Sequence, residues 1–181
     1  MSYWIFFVSF YSSLFTKNLL WIFLNGALIV TSYLSDIKIN CSDSLSKYVD
    51  EMDYGCILLI TFTYLDDVYT NTILLCAAAY EFYDKRTIVT IKNISCGLAL
   101  IKCCICCFNL DVFIGINLVW FTIIGVHIYR ARIVYYDKHK NYCDNLFYSF
   151  LTIIWRLCAL IMLLSASYTM EKSFKNAFIK I

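Results

Sequence analysis

The sequence predicts an all-α fold: a polytopic membrane helix bundle with four or five transmembrane helices and short loops. Three observations carry this expectation. Hydrophobic residues make up 61% of the 181-residue chain and charged residues only 15%, against roughly 45–50% and 25% in a soluble domain. One core of this length cannot bury so much apolar surface, which argues against a water-soluble enzyme. The chain also has no proline and only five glycines, a composition that excludes disorder, collagen-like repeats and Gly-rich linkers. Finally, apolar stretches long enough to cross a bilayer, about 20 residues at 1.5 Å rise each, recur along its whole length, so residues 1–181 read as one transmembrane helical domain.

The first apolar stretch runs from Tyr3 to Leu34 and is interrupted only by Lys17. It is long for one helix and short for two spans. The expected span is 17–34, with Tyr3 to Phe15 as an aromatic interfacial segment or the start of a long tilted helix. No basic n-region and no A-x-A-like site mark a cleaved signal peptide.

The polar stretch Ser35 to Asp53 follows, with Asp36, Asp43, Asp50, Glu51 and Asp53 against Lys38 and Lys47. It contains the sequon Asn40-Cys41-Ser42, so Asn40 is a candidate glycosylation site and the loop is expected outside or in a lumen. Cys41 and Cys56 flank this loop as a candidate disulfide.

The second span is expected over 54–82, broken near its middle by Asp66-Asp67 and ended by the polar run Glu81, Asp84, Lys85, Arg86. The region from Thr87 to Ile128 holds either one span and an interfacial helix or two spans, 88–108 and 112–129. In the second case they meet in a tight turn at Asn109-Leu110-Asp111. A basic loop with Arg130, Arg132, Lys138, His139 and Lys140 precedes the last span, 146–168, which carries Arg156.

The positive-inside rule separates the alternatives. With five spans, Lys17, the Lys85-Arg86 loop and the Arg130–Lys140 loop share one side, and the acidic sequon loop and Asp111 share the other. With four spans the two basic loops fall on opposite sides. Lys92 and Lys102 inside the third span, and three lysines in the tail, count against five.

Few residues carry candidate chemistry. Asp66, Asp67 and Arg156 fall near the middles of their spans. An ionisable group at the bilayer centre costs roughly 2.5–3.5 kcal/mol on insertion scales, so it is expected to be paired or to face water. The economical arrangement pairs Arg156 with one of the two Asp residues as a packing pin; an ion path is the competing role. Neighbouring helix residues point about 100° apart, so one Arg cannot easily serve both. The string Lys102-Cys103-Cys104-Ile105-Cys106-Cys107 reads first as small apolar residues inside a helix, with Cys96, Cys103 and Cys107 on one face. Cys103, Cys104, Cys106 and Cys107 are also candidate lipidation sites at a cytoplasmic boundary. A metal site is not expected, because no second CxxC and no nearby histidine complete a four-ligand set.

No G-x-S-x-G, HExxH or P-loop occurs, so no catalytic residue, cofactor or enzymatic activity is expected. A formal net charge of +2, without a polybasic run, gives no reason to expect nucleic acid as a partner. The expected partners are the lipid bilayer and other membrane protein subunits or further copies of the chain. The sequence therefore predicts a non-enzymatic multi-pass protein acting by assembly, as a subunit of a membrane complex or a virus-encoded membrane protein. A small oligomeric channel or transporter using the intramembrane Asp and Arg is the runner-up. The abundance of Ile, Tyr, Phe, Lys and Asn beside scarce Gly, Ala, Arg and Pro follows A- and T-rich codons and implies an AT-rich genome, viral, protist or organellar. The membrane itself, host, virion or organelle, is not specified by these residues.

Overall fold

A computed structural model describes residues 3–37, 43–85, 87–138 and 146–179. Among them are seven α-helices and no strand: α1 (Phe6–Ser13), α2 (Leu19–Ile37), α3 (Asp43–Leu65), α4 (Val68–Lys85), α5 (Val89–Leu110), α6 (Val112–Lys138) and α7 (Leu146–Ile179). Single turns of 3-10 helix flank α1. Four helices contain windows long and apolar enough to cross a membrane: Leu19–Asp36, Val89–Leu110, Val112–Tyr135 and Leu146–Lys172. The chain is thus an all-α bundle with the character of an integral, multi-pass membrane protein.

Cross-helix contacts fix the direction of each element. The end of the bundle holding Arg156 is the upper end here. Tyr3 stacks edge-on to Tyr33, and Ser9 donates to Asn25 Oδ1 at 2.8 Å, so α1 descends against a rising α2. Asp53 meets Thr31 above and Tyr64 meets Trp21 below, so α3 descends. Asn71 sits by Phe62 below and Glu81 by Thr90 above, so α4 rises. Lys92 lies over Tyr54 and Lys102 over Tyr64, so α5 descends parallel to α3. Helix α6 rises to bring Tyr129 and Arg132 to Trp155 and Thr152 of α7. Helix α7 descends from Arg156 to Ser167, whose hydroxyl accepts from Trp21 Nε1 at 3.0 Å.

Several sequence expectations change. Tyr3 to Phe15 is neither an interfacial segment nor the start of a tilted helix. It folds back along α2, because Lys17 takes a left-handed conformation (φ 57°) and Asn18 caps the next helix by accepting from Trp21 N–H at 3.0 Å. Such a cap satisfies one of the orphan donors at a helix start.

The single span expected over 54–82 is two helices. Asp66 is left-handed (φ 50°) and ends α3, a conformation Asp tolerates better than most residues. Asp67 begins α4 by accepting from Thr70 N–H at 2.8 Å. Much of the expected polar loop is also helix: Val49, Asp53, Cys56, Ile60 and Tyr64 repeat at helical spacing and face α2. The extra reversal at Asp66-Asp67 puts Lys17 and Lys85, which the five-span arrangement places on one side, at opposite ends of the bundle. Lys17 lies at the lower end, while Lys85 and Arg132 both lie at the upper end. The four candidate spans match the four-span count, although that alternative places the two basic loops on opposite sides.

The tight turn at Asp111 is present. Asp111 Oδ1 accepts from Phe113 N–H at 2.8 Å and starts α6 immediately after α5. Arg130 and Arg132 belong to α6 rather than to a loop, since nothing between Val126 and Tyr135 breaks a helix. Helix α7 likewise continues beyond Tyr168 to Ile179.

The core is one apolar cluster built from six helices. Phe6, Trp21, Leu28, Cys56, Ile60, Ala99, Cys103, Leu118 and Ala166 are all buried in it. A smaller cluster of Leu58, Phe62, Leu74 and Ala78 attaches α4 at the edge.

Candidate functional site

The upper end gathers charges that sequence separation hides. Helix α7 turns Arg156, Ala159, Leu163, Ala166 and Met170 toward the core, a helical stripe that carries one cation inward. Arg156 Nη1 and Nη2 donate to Asp36 Oδ2 and Oδ1 at 2.9 and 2.7 Å. The two side chains are 7% and 14% exposed. A bidentate, charge-assisted fork is among the strongest polar contacts available to side chains. In this desolvated setting its value lies in geometry as much as in net energy.

Asp53, one helix over, accepts from Thr31 at 2.9 Å and lies 3.5 Å from the Ser32 hydroxyl. Lys92 of α5 is 7% exposed, with its ammonium 4.3 Å from the centre of the Tyr54 ring. It has no hydrogen bond or ion pair among the described residues. Arg132 donates to Thr152 at 3.1 Å and lies over the Tyr148 and Trp155 rings. Buried and half-buried charges of both signs, Arg156, Lys92 and Arg132 with Asp36 and Asp53, therefore share this end.

Asp66 and Asp67 are elsewhere. Both are exposed at the lower turn, and neither pairs with Arg156. The expected pairing of Arg156 with Asp66 or Asp67 is not formed; Arg156 pairs instead with Asp36, the last residue of the apolar window of α2. Hydrogen bonding from Thr70 holds the Asp67 carboxyl below its ordinary range.

Lys102 works at the lower end. Its ammonium donates to the Tyr64 and Leu65 carbonyls, each at 2.7 Å. These are acceptors that the end of α3 leaves without intrahelical partners, and a cation is favoured there by the helix dipole. At the opposite end Glu81 accepts from Thr90 and Ile91 N–H at 3.1 and 3.0 Å, capping α5 from a neighbouring helix.

Between the two polar ends lies apolar material. An elongated chamber of about 470 Å³ opens among α3, α5, α6 and α7, below Lys92. Cys103 and Cys107 are buried with relative exposures of 3% and 0%, facing the core. Cys104 and Cys106 are half-buried. Of the four candidate lipidation sites, only these last two present any surface. Cys56 is buried with its thiol 3.6 Å from the Leu24 carbonyl. Its candidate partner Cys41 and the candidate glycosylation site Asn40 lie outside the described residues. Among the described residues no group of three His, Cys, Asp or Glu side chains could hold a metal ion.

Asp36, Asp53 and Lys92 are the residues that sequence reasoning passed over as site members. Asp53 carried a usable signal, since it shares the four-and-three spacing of Val49, Cys56 and Ile60. Lys92 carried a similar one, four residues before Cys96 and in register with Ser95, Ala99 and Cys103. Asp36 carried none, because its role depends on a helix 120 residues away. No protein family, curated protein or solved structure matches this chain.

Proposed function

We propose that this chain is a non-enzymatic multi-pass membrane protein that acts by assembly with other membrane subunits or with further copies of itself. The observation that carries the reading is the edge position of α4. This helix runs the depth of the bundle beside α5, and of its 18 residues Leu74, Ala78 and Glu81 are buried. Its outward side presents Tyr69, Thr72, Cys76, Tyr80 and Tyr83 interspersed with the apolar Val68, Ile73, Leu75 and Phe82. Yet α4 is not among the helices apolar enough to cross a membrane by themselves. A half-polar outward face is better matched by protein than by hydrocarbon, because lipid offers hydroxyls no partner. The membrane is that of a host, a virion or an organelle.

Conduction is the weaker reading. The Arg156 charge is neutralised by Asp36, and the layer between the polar ends is mainly apolar, with Leu28, Cys56, Ile60, Ala99 and Cys103 in it and only isolated polar side chains such as Asn25, Thr61 and Ser95. An ion path needs polar lining or water along its length. The purified chain in liposomes is expected to pass Na⁺, K⁺ and protons no faster than empty liposomes do. A flux that disappears in Asp66→Asn or Asp67→Asn protein of normal fold would replace assembly by transport.

A further inference from the structure

We infer that the chamber beneath Lys92 is a binding site for a single-chain amphiphile with an anionic head, the head held by the Lys92 ammonium and the tail lying along α5. The chamber volume of about 470 Å³ falls within the range of roughly 300–1,000 Å³ typical of small-molecule sites. Its walls include Ile57, Leu100, Cys103, Val126, Met162 and Leu163, all apolar. From Lys92 to Cys103 it follows α5 for about 16 Å at 1.5 Å per residue, a shape that suits a chain rather than a compact ring system.

Two further features point to an occupant. A Cβ placed on Gly97, in the wall of the chamber, would meet nothing within 4 Å. The space beside this helix is therefore open rather than merely loosely packed, whereas interiors normally leave few voids. The second feature is Lys92 itself. It is 7% exposed and lines the upper end of the chamber without a hydrogen bond or ion pair among the described residues. The neighbouring acid, Asp53, is already engaged by the Thr31 hydroxyl. A buried ammonium that has an aromatic face and, at longer range, the Asp53 charge beside it remains short of hydrogen-bond acceptors. A carboxylate or phosphate monoester head supplies them, and the attached chain fills the apolar space.

The test measures binding of radiolabelled oleate to the intact chain, captured on scintillation-proximity beads in maltoside micelles. The competitors are unlabelled oleate, oleoyl lysophosphatidate and oleyl alcohol. At least one of the two anions is expected to compete at about tenfold lower concentration than the alcohol, a discrimination of about 1.4 kcal/mol. Stronger competition by oleate identifies a fatty-acid site, and stronger competition by the phosphate a lysophospholipid site. Lys92→Met should bring the anions to the level of the alcohol. Gly97→Leu, which fills the open space, should abolish binding of all three. Equal competition by the alcohol in the unmodified protein would overturn the inference. So would an anion preference that survives Lys92→Met, or full binding in Gly97→Leu. The headgroup series on the unmodified chain decides the matter alone if a variant does not fold.

Discussion

Arg156 and Asp36 join α7 to α2 through a two-pronged fork, with N–O distances of 2.9 and 2.7 Å. Both side chains are largely withdrawn from solvent, so each is a liability without the other. Breaking such a pair by removing one partner costs about 3–5 kcal/mol, because an uncompensated charge is left behind. Arg156→Met or Asp36→Asn alone should destabilise the bundle on this scale in thermal or denaturant unfolding. The double variant should lose clearly less than the sum of the two. Strict additivity would mean that the contact is not formed.

Lys102 predicts a second measurable loss. Its ammonium serves two terminal carbonyls of α3, and hydrogen bonds to charged groups contribute about 1.5–3 kcal/mol. Lys102→Met should lower stability by about that amount, and hydrogen exchange should rise locally around Phe62 to Leu65. Lys102→Arg should recover part of the loss. An unchanged exchange pattern in Lys102→Met would exclude the capping role.

The Asp66-Asp67 turn shows how far the sequence could be read. The all-α class, the spans near 88–108 and 112–129 and the Asp111 turn follow from apolar run length and one N-capping acid. The same acid chemistry sits at Asp67, with Thr70 at the capping distance, but the uninterrupted apolar flanks made the pair look like charge inside a span. No proline or glycine punctuates the chain there, so the stop rests on the left-handed backbone of Asp66, which a hydropathy profile does not register. The Arg156 partner was illegible for a different reason. Pairing across 120 residues depends on the order of helices around the bundle, and periodicity does not encode that order.

Acid should act on the Asp67 cap. Thr70 lowers the folded-state value of this carboxyl, so the cap contributes stability above the ordinary Asp value of about 3.9. That contribution is lost as pH falls through the lower, folded value. Asp67→Asn, which can still cap, should therefore flatten the acid limb of the stability profile while leaving neutral stability nearly unchanged. An acid limb of unaltered shape would show that the carboxyl is not linked to folding.

Two glycines should respond in opposite directions. Gly97 has open space where a Cβ would stand, and its φ is not positive. Gly97→Ala should stabilise the chain by about 0.5–1 kcal/mol through helix propensity and unfolded-state entropy. A Cβ on Gly125 would stand 3.0 Å from Cys158 Cβ, where α6 and α7 touch. Gly125→Ala should force these helices apart and lower the unfolding temperature. Matching effects at the two sites would contradict the packing described.

Assembly is the central claim, and the mass of the natively extracted particle tests it most directly. The chain has a mass of 21.2 kDa. Extraction from its own membrane with a lipid-retaining polymer, followed by native mass spectrometry, should yield one defined species containing a whole number of copies or a fixed set of additional subunits. A particle of one 21.2 kDa chain carrying lipid and no other protein would contradict the account.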